Sequence, residues 1–275
     1  MKRIKRNFYP GDEWLYFKIY GGIKTCDDLI CGKLYTLMKK LKRDKIIDKW
    51  FFIRYSDPDF HIRLRLHITT PEYMWSAICA INKLLRPLCD THILNRFIID
   101  TYNREIERYG NENILPTEEL FCIDSDCICN ILRRIKDKSP NYRWLAAFVS
   151  IDNFLSALGF NIEERLSYVT LMSQSYRAEF GYDEYNGKQL NSIYRNRRKL
   201  ITQALEQPDP IIGLHNIFKL RTKKISELNI KCALNITSLM HMMMNRHFAS
   251  RNRTNELLIY DFLKRYYNSK MCRLH

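Results

Sequence analysis

The chain has 275 residues, 46% hydrophobic and 27% charged, a globular composition long enough for one large domain or two small ones. Lys and Arg number 45 against 30 Asp and Glu, a net charge of +15 that is spread along the chain and favours acidic ligands or anionic surfaces. No apolar run reaches 18 residues, which excludes a membrane-spanning helix of ordinary length.

In chain order, the basic opening Met1 to Arg6 runs into Asn7-Phe8-Tyr9-Pro10 and not into an apolar stretch, so no signal peptide is expected and a cytoplasmic protein is. Glu13 to Tyr20 alternates aromatic and other residues and stops at Gly21-Gly22, which predicts a strand. Thr25-Cys26-Asp27-Asp28 has capping-box spacing, with Asp at the fourth place, and predicts the start of a helix reaching about Arg43. Lys49 to Tyr55 and His61 to Ile68 read as two further strands, joined by the turn Ser56-Asp57-Pro58-Asp59. Pro71 opens a helix to about Leu88, and Leu94 to Asp100 is a fourth strand. Beyond residue 110 the pattern turns helical: 116–135, 142–158, 162–178, 188–205, 211–228, 233–248 and 255–267. The fold class expected is α+β, a strand-rich part over 12–110 and a helical part over 116–268, packed as one domain over 1–275.

The basic clusters at 2–6, 39–45, 195–199 and 221–224 read as solvated helix faces. Nine cysteines, none in C-x-x-C spacing, read as free and mostly buried thiols of a reducing compartment. Cys122, Cys127 and Cys129 are the nearest to a cluster, and no metal site is expected.

The segment His61-Ile62-Arg63-Leu64-Arg65-Leu66-His67-Ile68 alternates without a break. Ile62, Leu64, Leu66 and Ile68 share one face of a strand, and His61, Arg63, Arg65 and His67 the other. Two arginines two residues apart lie about 7 Å from each other along a strand. They repel by roughly 2 kcal/mol at an effective dielectric of about 20. Two readings offset that repulsion. Either this is a solvated edge strand, or the pair binds an anion, since arginine forks grip carboxylate and phosphate. A second charged segment is Asp100 to Gly110; on a helix, Arg104 and Arg108 would share a face, and Glu105 or Glu107 would be available to pair with an arginine. His241 sits in a methionine-rich helix, as a core residue or as a general acid or base.

Taken together, these segments resemble one family. W-F-F-I-R-Y-S-D-P-D-F-H-I-R-L-R-L at 50–66 is similar to an element of the lantibiotic dehydratase C-terminal domain, a family that includes stand-alone thiopeptide-type bacteriocin biosynthesis proteins. The opening E-W-L-Y-F-K-I-Y-G-G, T-Y-N-R-E-I-E-R-Y-G at 101–110, E-E-L-F-C-I-D-S-D at 118–126 and H-M-M-M-N-R at 241–246 resemble other family segments, in the same order. The resemblance implies glutamate elimination. A separate glutamyl-tRNA-dependent enzyme esterifies Ser or Thr of a ribosomally made precursor peptide, and this chain eliminates the glutamate to leave dehydroalanine or dehydrobutyrine. It implies that Arg63 and Arg65 hold the glutamyl group and that His241 is required for elimination. It implies a third arginine at Arg108, with Arg104 the weaker choice, and further substrate contacts at Arg54, His61, Asn245 and Arg246. The family often has a second histidine two residues after the first; here that residue is Met243, and His247 and His61 are the candidates to compensate for it. No cofactor is implied.

Two other readings stay open. One is a pyridine synthase, joining two dehydroalanines by a formal [4+2] cycloaddition. The other is a non-catalytic scaffold that binds the precursor peptide. The paired arginines with His241 favour elimination, because cycloaddition has no glutamate to hold. Direct nucleic-acid binding has only the net charge in its favour.

Overall fold

The computed structural model describes residues 4–182, 184–207, 213–228 and 234–274. The expected helix starts at 211 and 233, and the first two residues of the opening basic cluster, lie outside the described residues. The architecture is α+β. The chain forms two compact units, residues 1–133 with 228–250, and residues 134–227 with 251–275.

The first unit is built on a four-stranded antiparallel sheet of β2 (Trp14–Gly21), β3 (Ile47–Tyr55), β4 (His61–Ile68) and β5 (Leu94–Asp100), in the order β3-β4-β2-β5. A two-residue ladder pairs β1 (Asn7–Phe8) with β6 (Tyr102–Asn103). Helices α1 (Ile23–Leu29), α2 (Tyr35–Arg43) and α3 (Met74–Asp90) cover one face of the sheet, with a π-helical turn over Ile30–Leu34 joining the first two. Ile62, Leu64, Leu66 and Ile68 enter the core there, together with Leu15, Phe17 and Ile19 of β2 and Met38, Ile81 and Leu85 of the helices. The alternation in the sequence is therefore the two-sidedness of the sheet. Gly21 closes β2 where a Cβ would stand 2.7 Å from Leu94 Cδ2, so a larger residue does not fit without a shift. The rest of the unit is α4 (Ile106–Tyr109), α5 (Ile114–Arg134) and, between helices of the second unit, α10 (Ile236–His247).

The second unit is helical: α6 (Pro140–Ala157), α7 (Ile162–Glu179), α8 (Glu184–Glu206), α9 (His215–Ser226) and α11 (Asn252–Leu274). Asn161 and Glu164 close a capping box at the start of α7. Trp144 and Phe148 of α6 meet Phe262 of α11 edge-on and stacked. Asp261 of α11, buried, accepts from Arg177 of α7 and Arg265 of its own helix. Among the described residues no helix is long and apolar enough to cross a membrane.

Four local expectations change. The helix after β2 begins at Ile23 with Gly22 as its cap, so Thr25 lies inside it and no capping box forms. Asp27 and Asp28 are engaged by Arg54 and Lys24 instead. β4 lies inside the sheet and not at its edge, because both β2 and β3 pair with it. Arg104 and Arg108 do not share a helix: Arg104 precedes the single turn of α4. Arg221, expected on a solvated face, is 2% exposed and donates to the Ser150 carbonyl at 2.9 Å. Of the eight described cysteines, none in a disulfide, Cys26, Cys122, Cys127 and Cys129 are buried, while Cys79 and Cys272 are exposed.

Candidate functional site

The face of the sheet opposite α1, α2 and α3 carries Arg63, Arg65 and His61. Strand register sets its rows: Phe51, Arg65, Tyr16 and Asp100 lie side by side across β3, β4, β2 and β5. The next row is Ile53, Arg63, Lys18 and Ile98, and the one after is Tyr55, His61, Tyr20 and Arg96.

Arg65 is 7% exposed and enclosed by three rings, with its guanidinium carbon 4.6 Å from the centroid of Tyr16, 4.8 Å from Tyr102 and 5.1 Å from Phe51. Ring faces offset part of the desolvation of a cation. They do not accept its hydrogen bonds, and Nε and Nη1 are buried with no hydrogen-bond partner among the described residues. A buried guanidinium left in that state is strongly drawn to any anion that reaches it.

Arg63 is half-buried. Its guanidinium carbon lies 3.5 Å from the centre of the Tyr55 ring, and its Nε donates to His61 Nε2 at 3.2 Å. The other ring nitrogen of His61, Nδ1, lies 2.8 Å from the Asp59 carbonyl. That pairing makes Nδ1 the protonated nitrogen and Nε2 the acceptor, the neutral tautomer. Burial first, then Arg63 and Lys18, hold the His61 pKa below its ordinary 6.5. Lys18 forms an ion pair with Asp100 that raises its pKa. Burial works against the Asp100 charge, but the bonds from Lys18 and the Thr101 N–H keep that carboxyl below its usual range. Burial lifts the Tyr16 hydroxyl above its usual range, opposed by Arg65 and Arg63.

A second layer supports Arg65. Tyr102 donates its hydroxyl to Glu118 Oε1 at 2.7 Å, and Arg104 grips both Glu118 oxygens at 2.7 and 2.6 Å. Arg104 is buried, and its third nitrogen, Nη1, donates to the Lys5 carbonyl at 2.9 Å. It serves the wall of the cage, not its interior.

The remaining candidates converge on α10. Asn235 caps this helix through the Ser238 N–H at 3.0 Å, and its Nδ2 donates to the Arg108 carbonyl at 3.1 Å. The Arg108 side chain is exposed and pairs with Glu105 at 3.0 Å. At the other end, Asn245 Oδ1 accepts from the Arg54 N–H at 2.7 Å and Nδ2 donates to the Arg54 carbonyl at 2.8 Å. Arg246 Nε donates to the Phe52 carbonyl at 2.9 Å, and the Phe52 N–H goes to Ser125 Oγ at 3.2 Å. Side chains thus close the outer edge of β3. The Arg54 guanidinium, buried, reaches the Asn245 and Arg246 carbonyls and Asp27. Arg246 is fully buried above the Phe121 ring, at 4.6 Å, and burial pushes its pKa down to about 10 against the pull of Asp124. His241 is half-buried one turn before Asn245, on the same helix face and between the two anchors.

The structure therefore brings Arg63, Arg65 and His61 onto one sheet face. It uses Arg54, Asn245 and Arg246 to fasten α10 to β3, and Arg104 to fasten Tyr102. The cage residues Tyr16, Phe51 and Tyr102 and the flanking Lys18 were not singled out from sequence. Tyr16 and Lys18 alternate in β2 with core residues, a signal that marks their face but not their neighbours.

The model of the family described as "Lantibiotic biosynthesis dehydratase C-term" matches residues 14–267. The chain is 30% identical to the nisin biosynthesis protein NisB of Lactococcus lactis subsp. lactis over 242 residues, 77% of this chain and 24% of NisB. It is 31% identical to the subtilin biosynthesis protein SpaB of Bacillus subtilis over 179 residues, 63% of this chain and 17% of SpaB. The chain thus spans a quarter or less of these relatives. Among solved structures, the tRNA-dependent lantibiotic dehydratase MibB of Microbispora sp. 107891 shares the fold, with a TM-score of 0.64 and 19% identity over 96% of this chain and 29% of MibB. So does TbtD, the pyridine synthase from thiomuracin biosynthesis, with a TM-score of 0.64 and 14% identity over 94% of this chain and 100% of TbtD. The chain belongs to the lantibiotic biosynthesis dehydratase C-terminal family.

Proposed function

We propose that this chain eliminates glutamate from glutamylated Ser or Thr of a ribosomal precursor peptide, leaving dehydroalanine or dehydrobutyrine. A separate glutamyl-tRNA-dependent activity supplies the ester. In the elimination, the α-proton of the esterified residue is removed and its electron pair becomes the Cα–Cβ double bond. The Cβ–O bond breaks, and the glutamate carboxylate leaves with the electron pair of that bond. The reaction needs a base, donors for the charge that develops on the residue's own carbonyl, and a seat for the departing carboxylate.

The observation that supports this reading is Arg65, buried with two nitrogens that lack a hydrogen-bond partner. Arg63 lies beside it on the same strand face. In this reading the pair holds the glutamyl carboxylates, Arg108 adds a third cation, and His241 transfers the proton. His61 and Lys18 flank the seat. A cycloaddition releases no carboxylate and gives Arg65 no partner, although the fold likeness to TbtD keeps that chemistry as the second reading.

Kinetics of glutamate release from a glutamylated peptide test the assignment. Arg63→Ala, Arg65→Ala and His241→Ala are each expected to lose release at least about tenfold, the effect of removing one strong charged contact or proton-transfer group. Release at the wild-type rate by all three variants would contradict it.

A further inference from the structure

In the helical second unit, α8 and α11 enclose a cleft of about 300 Å³. On α8, Tyr194, Arg198 and Thr202 follow one another at steps of four, and on α11 Tyr266, Ser269 and Arg273 follow at steps of three and four. Each set forms one stripe of its helix, and the two stripes are the walls. Lys199 adds a third cationic head to the lining. Arg198 is anchored by a bond to Ser269 Oγ at 2.9 Å, and Arg273 by bonds to the Ser269 carbonyl at 3.2 Å and Glu206 at 3.0 Å. These anchors use one or two donors of each guanidinium, which carries five.

Tyr194 gives the second observation. It is 8% exposed, it lines the cleft, and its hydroxyl is buried without a hydrogen-bond partner among the described residues. Burial raises its pKa, so the hydroxyl keeps its proton and is a donor. The lining therefore offers a surplus of donors and positive charge, and its complement is rich in acceptor oxygens and doubly negative. A carboxylate brings two oxygens and one charge. A phosphate monoester brings three terminal oxygens and up to two charges, which matches three cationic heads and a hydroxyl more closely.

We propose that this cleft binds a small phosphate monoester, with Arg198, Lys199 and Arg273 on the terminal oxygens and the Tyr194 hydroxyl donating to one of them. Its residues belong to the second unit, and the proposal stands whether or not the chain eliminates glutamate.

Calorimetric titration of the whole chain with inorganic phosphate and with adenosine 5′-monophosphate, at fixed ionic strength, tests it. One saturable site is expected. Arg198→Gln combined with Lys199→Gln should weaken it at least tenfold. Tyr194→Phe, which keeps the ring and removes only the hydroxyl, should weaken it several-fold with an unchanged melting temperature. Tighter binding of adenosine monophosphate than of phosphate identifies an organic ester as the occupant, and equal binding identifies the phosphate group alone; both support the site. No saturable binding, equal binding by all variants, or preference for glutamate over both phosphates would overturn it.

Discussion

Arg63 donates its Nε to Nε2 of His61 at 3.2 Å, and His61 in turn is held through Nδ1 by the Asp59 carbonyl at 2.8 Å. The relay orients one arginine of the candidate site only while the imidazole is neutral. Protonation turns Nε2 into a donor and sets two cations against each other.

The pH dependence follows from the direction of the His61 shift. Its folded pKa lies below 6.5, so the unfolded chain takes up the proton first as pH falls. The contribution of neutral His61 is fully present above 6.5 and is lost as pH drops through 6.5 towards the folded pKa. Melting temperatures measured between about pH 8 and pH 5 should fall on the acid side. His61→Gln, with a carbonyl that accepts from Arg63, should remove part of that fall. Identical slopes in the two proteins would rule out the relay.

Arg65 separates stability from activity. A buried cation with two unpartnered nitrogens carries a desolvation penalty that the rings only partly offset. Arg65→Met keeps much of the side-chain volume and removes that penalty. Denaturant unfolding should therefore show unchanged or increased stability, by up to a few kcal/mol in the manner of buried-charge replacements. Glutamate release should fall about tenfold to a hundredfold, the range for a lost charged contact. A clear loss of stability would mean that Arg65 is structural.

Asn245 acts as a strand residue supplied by a helix. Its amide pairs with both main-chain groups of Arg54 at the edge of β3. Asn245→Ala leaves the Arg54 N–H and carbonyl without those partners and should destabilise the protein by about 1–3 kcal/mol. Chemical denaturation measures this. An unchanged unfolding midpoint with lost activity would instead make Asn245 a substrate contact.

Glu256 of α11 is 0% exposed, and burial pushes its pKa up to about 9. Arg253 is 3.7 Å away and also engages Glu179, which leaves burial dominant. The folded state therefore holds a proton that the unfolded chain has released above 4.5, so stability falls with rising pH between 4.5 and about 9. Glu256→Gln should raise the melting temperature at neutral pH, with a gain that widens over that window. A gain independent of pH would show that Glu256 is ionised in the folded protein.

The sequence reading was strongest where a period repeats. The alternation of β4 placed Arg63 and Arg65 on one face, and helical spacing marked the long helices. It failed where the signal was a single residue or needed a partner distant in the chain. Thr25 looked like a cap because spacing alone does not show that Gly22 already begins the helix. β4 was compatible with an edge strand because a strand's own residues do not name its neighbours. The cage around Arg65 joins Tyr16, Phe51 and Tyr102 from three separate segments, and only strand register and the fold of the β6 region bring them together. Nor does the motif show that Arg54, Asn245 and Arg246 make hydrogen bonds to main-chain groups of β3 and α10, and Arg54 to Asp27 as well.

The most direct test of the central claim is mass spectrometry of a precursor peptide carrying a glutamyl ester on one Ser, before and after incubation with the purified protein. The account predicts loss of one glutamic acid and a dehydroalanine at that residue, with Arg65→Met slowing that loss about tenfold to a hundredfold. An ester that persists with the wild-type protein, while a peptide bearing two dehydroalanines is cyclised, would contradict it and assign the chain to pyridine synthesis.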